Sequence, residues 1–194
     1  MKLRKVTEEM KEGMNDFHDY INISIHTPLE TIKKLSENCK KCGHCCSYGS
    51  GLMLKDDIKK LASFLKISED KLKKKYLEPV TRFGVSLFRP KLIKTKDKEH
   101  LPYGRCIFLT ENKECKIQKA KPLQCKLTTC NKHGTDIGVW FNLNYLIDPK
   151  NPETIRQWDL YLKSGGRNIP GGKLNELIPD EKRLEKILNY NIIR

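Results

Sequence analysis

Four of the chain's eight cysteines fall in one run, "CKKCGHCC", residues 39–46. The other four, Cys106, Cys115, Cys125 and Cys130, come much later. Thiols at such density hold a metal, exchange electrons as dithiols, or form a disulfide frame. A tetrahedral ion needs four sulfurs meeting at one point, and Cys39-Lys40-Lys41-Cys42 supplies half of that set from one tight turn. Gly43 follows directly and permits the positive φ that such a knuckle favours. Extended by one step, Cys39-x2-Cys42-x2-Cys45 has the three-cysteine spacing that wraps a [4Fe–4S] cluster in bacterial-type ferredoxins. Zinc and iron–sulfur therefore compete for the same residues.

The doublet Cys45-Cys46 raises a second question. Neighbouring side chains of an extended segment point to opposite sides. On that geometry Cys45 joins Cys39, Cys42 and one late cysteine in a first centre, and Cys46 joins the remaining three in a second. Eight thiols balance two four-ligand centres, and which late cysteine serves which site stays open. His44 sits inside the run as a spacer. His133, three positions after Cys130, is a substitute ligand of lower weight. His18, His26 and His100 have no ligand-like neighbours.

The compartment bears on these readings. The N-terminus, "MKLRKVTEEMKEGMNDF", lacks the apolar stretch of a secretory signal, and no window approaches a membrane span. A cytoplasmic location is expected, where thiols stay reduced and a cysteine cluster reads as metal-binding rather than disulfide-forming. At 194 residues the chain buries a core without covalent staples. The formal charge of +14 is unevenly placed: residues 1–37 carry −1, residues 38–135 carry +14 and residues 136–194 carry +1. Two four-thiolate centres of charge −2 would leave the middle segment at about +10. That surplus suits an acidic protein or nucleic acid as partner. Its tyrosines and phenylalanines are not interleaved with the lysines as a stacking stripe would be.

The elements that position the thiols are mostly helical. Residues 6–23 read as an amphipathic helix, with Met10, Met14, Phe17 and Ile21 at helical spacing. Thr27-Pro28-Leu29-Glu30 starts a second helix, Thr27 capping it, that delivers the chain to Cys39. The cysteine run itself reads as a Gly/Ser-bounded loop. A helix follows at 54–66, then one from Ser68 over 69–80. Residues 84–96 read as two short strands with Pro90 between them, and 104–117 as a hairpin turning at Thr110–Lys113. Residues 119–135 read as loop or a short helix, and "IGVWFNLNYLI" fits a strand or a buried helix equally. Asn151-Pro152 opens a clear helix ended by Gly165-Gly166, and 180–193 form the last one. The expected fold is α+β: a mostly helical shell around a small, cysteine-pinned metal-binding centre with a few short strands. It divides into N-terminal helices (1–37), a cysteine-cluster domain (38–135) and a C-terminal helical segment (136–194) packed on it as one compact unit.

"CKKCGHCC", "LKDDIKKLASFLKISEDKLKKKYL" and "GRCIFLTENKECKIQKAKPLQC" together resemble the CxxCxxCC (YkgJ-like) cysteine-cluster family over roughly residues 36–130. That resemblance implies a zinc- or iron-chelating domain, with Cys39, Cys42, Cys45, Cys46, Cys106, Cys115, Cys125 and Cys130 as metal ligands. The family's usual Arg-Pro before the seventh cysteine is Lys121-Pro122 here, and its Cys-Arg is Cys125-Lys126. Both keep the charge and lose the bidentate fork. The resemblance extends to enzymes that methylate lysines of flagellin, yet no glycine-rich cofactor loop is present, so no reaction is assigned. The expected function is a metal-binding protein holding iron–sulfur or zinc in a structural or electron-transfer role. The alternatives are an iron–sulfur-dependent lysine methyltransferase-like enzyme and a zinc-stabilised basic adaptor.

Overall fold

A computed structural model describes residues 22–37, 42–94 and 100–190. The helix expected over residues 6–23 falls almost entirely outside them, as does Cys39. Among the described residues the fold is α+β, with nine α-helices and two short antiparallel ribbons. In chain order they are α1 (Leu29–Ser36), α2 (His44–Tyr48), α3 (Lys55–Leu65), α4 (Glu69–Tyr76), β1 (Leu77–Arg82), β2 (Val85–Pro90), β3 (Leu92–Ile93) and β4 (Arg105–Cys106). Then follow α5 (Leu123–Leu127), α6 (Gly134–Tyr145), α7 (Pro152–Lys163), α8 (Leu174–Leu177) and α9 (Glu181–Leu188).

Local chemistry explains most boundaries. Ser68 caps α4 by accepting from the Lys71 amide at 3.2 Å, and Asn151 caps α7 by accepting from Glu153 at 3.0 Å. α4 carries Glu69 and Asp70 in its first turn and Lys73, Lys74 and Lys75 in its last, in keeping with the helix dipole. Thr27 does not cap α1. Its hydroxyl accepts from the Ser24 amide instead, and Pro28 takes the capping position without a side-chain bond.

Three departures from the sequence reading have tertiary causes. From His44 onward the cysteine run winds into α2 rather than staying a loop. The helix expected to reach residue 80 stops at Tyr76, because Leu77–Arg82 pairs along its length with Val85–Pro90. The hairpin turns at Phe83-Gly84 with φ of 51° and 73°, the signature of a two-residue primed turn. A phenylalanine tolerates that conformation because its ring is wedged edge-on against Trp158 and Tyr161, with centroids 5.6 and 5.7 Å away. The strand expected at 104–110 shrinks to Arg105–Cys106, paired with Leu92–Ile93. Beyond it the turn at Thr110–Lys113 forms, closed by Thr110 N–H to Glu114 O at 2.8 Å.

Two apolar cores result. The larger is built from both ends of the described chain: Ile23, Ile32 and Leu35 meet α6, α7 and α9 around Trp158, Phe141 and Ile155. α6 buries Ile137, Val139, Trp140, Phe141 and Leu143. A helix apolar on nearly every side carries no period, hence the ambiguity of "IGVWFNLNYLI". The smaller core holds Met53, Ile58, Leu61, Leu72, Leu77, Phe108, Leu109 and Ile117, and it includes the buried Cys106. No helix among the described residues is long and apolar enough to cross a membrane.

Candidate metal centre

The first support of the site is Gly43, at φ 72°, as the spacing around Cys42 leads one to expect. A Cβ there would stand 2.9 Å from the Lys113 Cβ, so space as well as dihedral calls for glycine. α2 starts from this residue and carries the cysteine doublet. The premise of an extended doublet therefore does not hold. On a helix successive side chains are only about 100° apart. The sulfurs of Cys45 and Cys46 stand 4.0 Å from each other and line the same cavity.

Three late cysteines reach that cavity from separate elements. Cys106 ends β4. Cys115 stands on the far side of the 110–113 turn, bridged to Leu109. Cys125 lies in α5. With Cys45 and Cys46 they line a cavity of ≈ 280 Å³, floored by Phe108 and Ile117 and edged by Lys121 and Pro122. Five cysteines and no acidic residue or histidine line it. Among the described residues no three Cys, His, Asp or Glu side chains close on a single ion position.

Backbone amides bond three of these cysteines, Cys45 among them. Those of Phe108 and Leu109 bond Cys106, and that of Gly51 bonds Cys125. Gly51 is required by contact: a Cβ there would collide with the Cys125 sulfur and stand 3.2 Å from the Cys125 backbone nitrogen. Burial pushes the Cys125 thiol up to about 12, with the Gly51 amide and Lys121 opposing the rise. Burial likewise raises Cys106, against the pull of its two amides. Within the doublet the two sulfurs share one hydrogen bond, which lowers Cys45 to about 6 and raises Cys46. Lys121 adds its positive charge to the lowering of Cys45. Without a metal the buried thiols keep their protons; loading must displace them.

The remaining candidates lie elsewhere. Cys42 and Cys130 are exposed and do not line the cavity. His44 is exposed, with its ring 5.1 Å from that of Tyr48, and Tyr48 in turn lies 6.2 Å from Tyr103. His133 forms the start of α6, and neither it, His26 nor His100 lines the cavity. Sequence reasoning missed Gly51 as a part of the site. The "SGL" after the doublet gives no hint that a residue 74 positions on rests against it.

A donor set made only of thiols fits a soft, thiophilic metal. Comparison with known proteins agrees. Residues 38–143 match the CxxCxxCC family, whose description is "Putative zinc- or iron-chelating domain". An uncharacterized protein of Methanocaldococcus jannaschii, MJ0661, is 35% identical over 97 residues, 50% of this chain and 46% of that relative. The chain thus spans about half the length of this curated relative. No solved structure matches. With the motif, the gathered sulfurs and more than half of its length in agreement, the chain belongs to the CxxCxxCC family of zinc- or iron-chelating domains.

Proposed function

We propose that the chain holds an iron–sulfur cluster through thiols of Cys45, Cys46, Cys106, Cys115 and Cys125, in a structural or electron-transfer role. The observation that carries this reading is five cysteines lining one cavity, no three of which close on a single ion position among the described residues. A site for a single water needs about 10–15 Å³, whereas this cavity has ≈ 280 Å³. Zinc asks for four ligands closed on one point; a polynuclear cluster asks for sulfurs held apart around a core. The amides on Cys106 and Cys125 would donate to ligand sulfurs, one of the devices that set a cluster's potential. Lys121 offsets part of the thiolate charge. A bound cluster would supply one-electron transfer, or simply hold four short segments together. Cys39, Cys42 and Cys130 are left for a second centre.

Anaerobic purification with visible and EPR spectra and with iron, sulfide and zinc analysis tests the proposal. A brown protein with stoichiometric iron and sulfide supports it. A colourless protein with bound zinc replaces iron–sulfur by zinc. A folded, metal-free protein with eight titratable thiols ends it. Since the doublet faces one cavity, Cys45→Ser and Cys46→Ser are expected to disturb the same spectral signature; separate losses restore the division into two centres.

One observation favours a second role, binding of single-stranded nucleic acid. Exposed His44, Tyr48 and Tyr103 form a run of rings on the outer side of α2, assembled from residues up to 59 positions apart. Tyr48 is 57% and Tyr103 44% exposed, on the segment that bears the entire positive excess. Exposed rings with cations form a stacking platform for bases. Fluorescence anisotropy with a labelled oligothymidine checks this. Binding that weakens with salt and with Tyr48→Ala supports it, and no binding at low salt rules it out.

A further inference from the structure

We infer that Asp57 is the positioning residue of the cysteine cavity. Its buried carboxylate ties the start of α5 to the start of α3, and thereby sets where the Cys125 sulfur stands. The inference rests on the reading of the cavity as the metal site and adds a residue that neither the cysteine pattern nor the family description points to.

Asp57 is only 7% exposed. One carboxylate oxygen accepts from the Leu54 amide at 3.0 Å, the ordinary closure of a helix start by its third residue. The other oxygen accepts from the Leu123 amide at 3.1 Å, across 66 residues. Local capping explains the first bond and not the second. α5 has five residues, and Pro122 before it offers no side-chain cap. A helix of that length does not hold itself in water. The Leu123 amide is one of the unpaired donors of a helix start, and Asp57 supplies its acceptor. Cys125 lies two positions further on.

The same junction is closed at two more points. The Gln124 side-chain oxygen accepts from the Leu52 amide, and Gly51 packs against the Cys125 sulfur and bonds it. All three ties join 51–57 to 123–125. A buried carboxylate is an unusual choice where the polar chain of an asparagine or serine would cap α3 as well. Two full acceptor oxygens on a short, rigid stem explain it, since only a carboxylate serves both amides at once.

Alkylation of the metal-free chain tests this without a loaded centre. Wild-type and Asp57→Asn proteins are treated anaerobically with iodoacetamide, and each cysteine's rate is followed by mass spectrometry beside hydrogen exchange of every segment. Asp57→Asn is expected to raise the Cys125 rate on the order of tenfold, the scale of losing a hydrogen bond to a charged group. Exchange in α6 and α7 should stay as in the wild type. Asp57→Glu separates the two bonds. It keeps the box residue that starts α3 but moves the carboxylate away, so α3 stays protected while Cys125 is still released. After metal loading, both variants should lose metal to a chelator faster than wild type. An unchanged Cys125 rate in both variants overturns the inference, and so does a rise shared by α6 and α7, which marks general destabilisation. Should the wild-type chain bind no metal, the proposed function falls, while the alkylation result still decides the role of Asp57.

Discussion

The two cores of this molecule are built on opposite terms. The larger one closes on itself. Trp158 is fully buried and its indole N–H donates to Gly172 O at 2.8 Å, Trp140 donates to Thr27 O at 2.9 Å, and α6 and α7 each run twelve residues. The smaller one, built on α3, α4, β1 and the 106–117 segment, adjoins the cavity, and the cysteines reach that cavity on pieces that cannot stand alone: two helices of five residues and a ribbon of two-residue strands. Such pieces are far below the length that sustains a helix or hairpin in water. Apolar burial thus suffices for one region, whereas the other ends in thiols where more apolar contact would be expected. In that region a bound metal would take the place of packing.

The largest expected effect separates the regions outright. A structural four-thiolate site contributes on the order of 10 kcal/mol in apparent binding free energy. Removing the metal by chelation should abolish hydrogen-exchange protection around α2 and β4, and leave α6, α7 and α9 protected. Equal loss in both regions would show that they fold as one. Uptake should be weaker at low pH. The raised Cys106 and Cys125 thiols are protonated at neutral pH and must release protons on binding, so affinity rises as pH rises. Calorimetry in buffers of different ionisation enthalpy counts those protons.

Next comes Trp158→Ala. Removing a fully buried indole costs about 3–5 kcal/mol, and the loss should be the same with and without metal. A metal-dependent loss would mean that the cavity leans on the larger core more than the contacts suggest.

Gly51→Ala should act in the opposite sense. Its new methyl group meets the Cys125 sulfur and the Cys125 backbone nitrogen. Metal content should fall severalfold, with the melting of α6 and α7 unchanged. Smallest is Ser68→Ala at the exposed start of α4, about 1 kcal/mol. Denaturant unfolding measures it, and the metal spectrum should not change.

Where a determinant is local, the sequence alone was enough. The αL turn at Gly43 follows from its place after Cys42, the cap at Ser68 from its place before Glu69-Asp70, and the helix at Pro152 from Asn151. The "CKKCGHCC" run by itself announced the family and its metal chemistry. What it did not determine is geometry that depends on partners distant in the chain. From sequence the doublet reads as extended, because nothing adjacent to it declares a helix. α2 is held by contact with β4 and by the Tyr48 carbonyl accepting from the Gly104 amide at 3.3 Å, both far along the chain. That one change of backbone turns two sulfurs from opposite faces to one cavity. Likewise Asp57 reads as an ordinary acidic residue of a helix's first turn. Only the folded chain brings the Leu123 amide within 3.1 Å of it. The thiol chemistry is a property of residue types and short spacing, and is legible from sequence. Which sulfurs share a space is a property of long-range contacts, and no local signal encodes them.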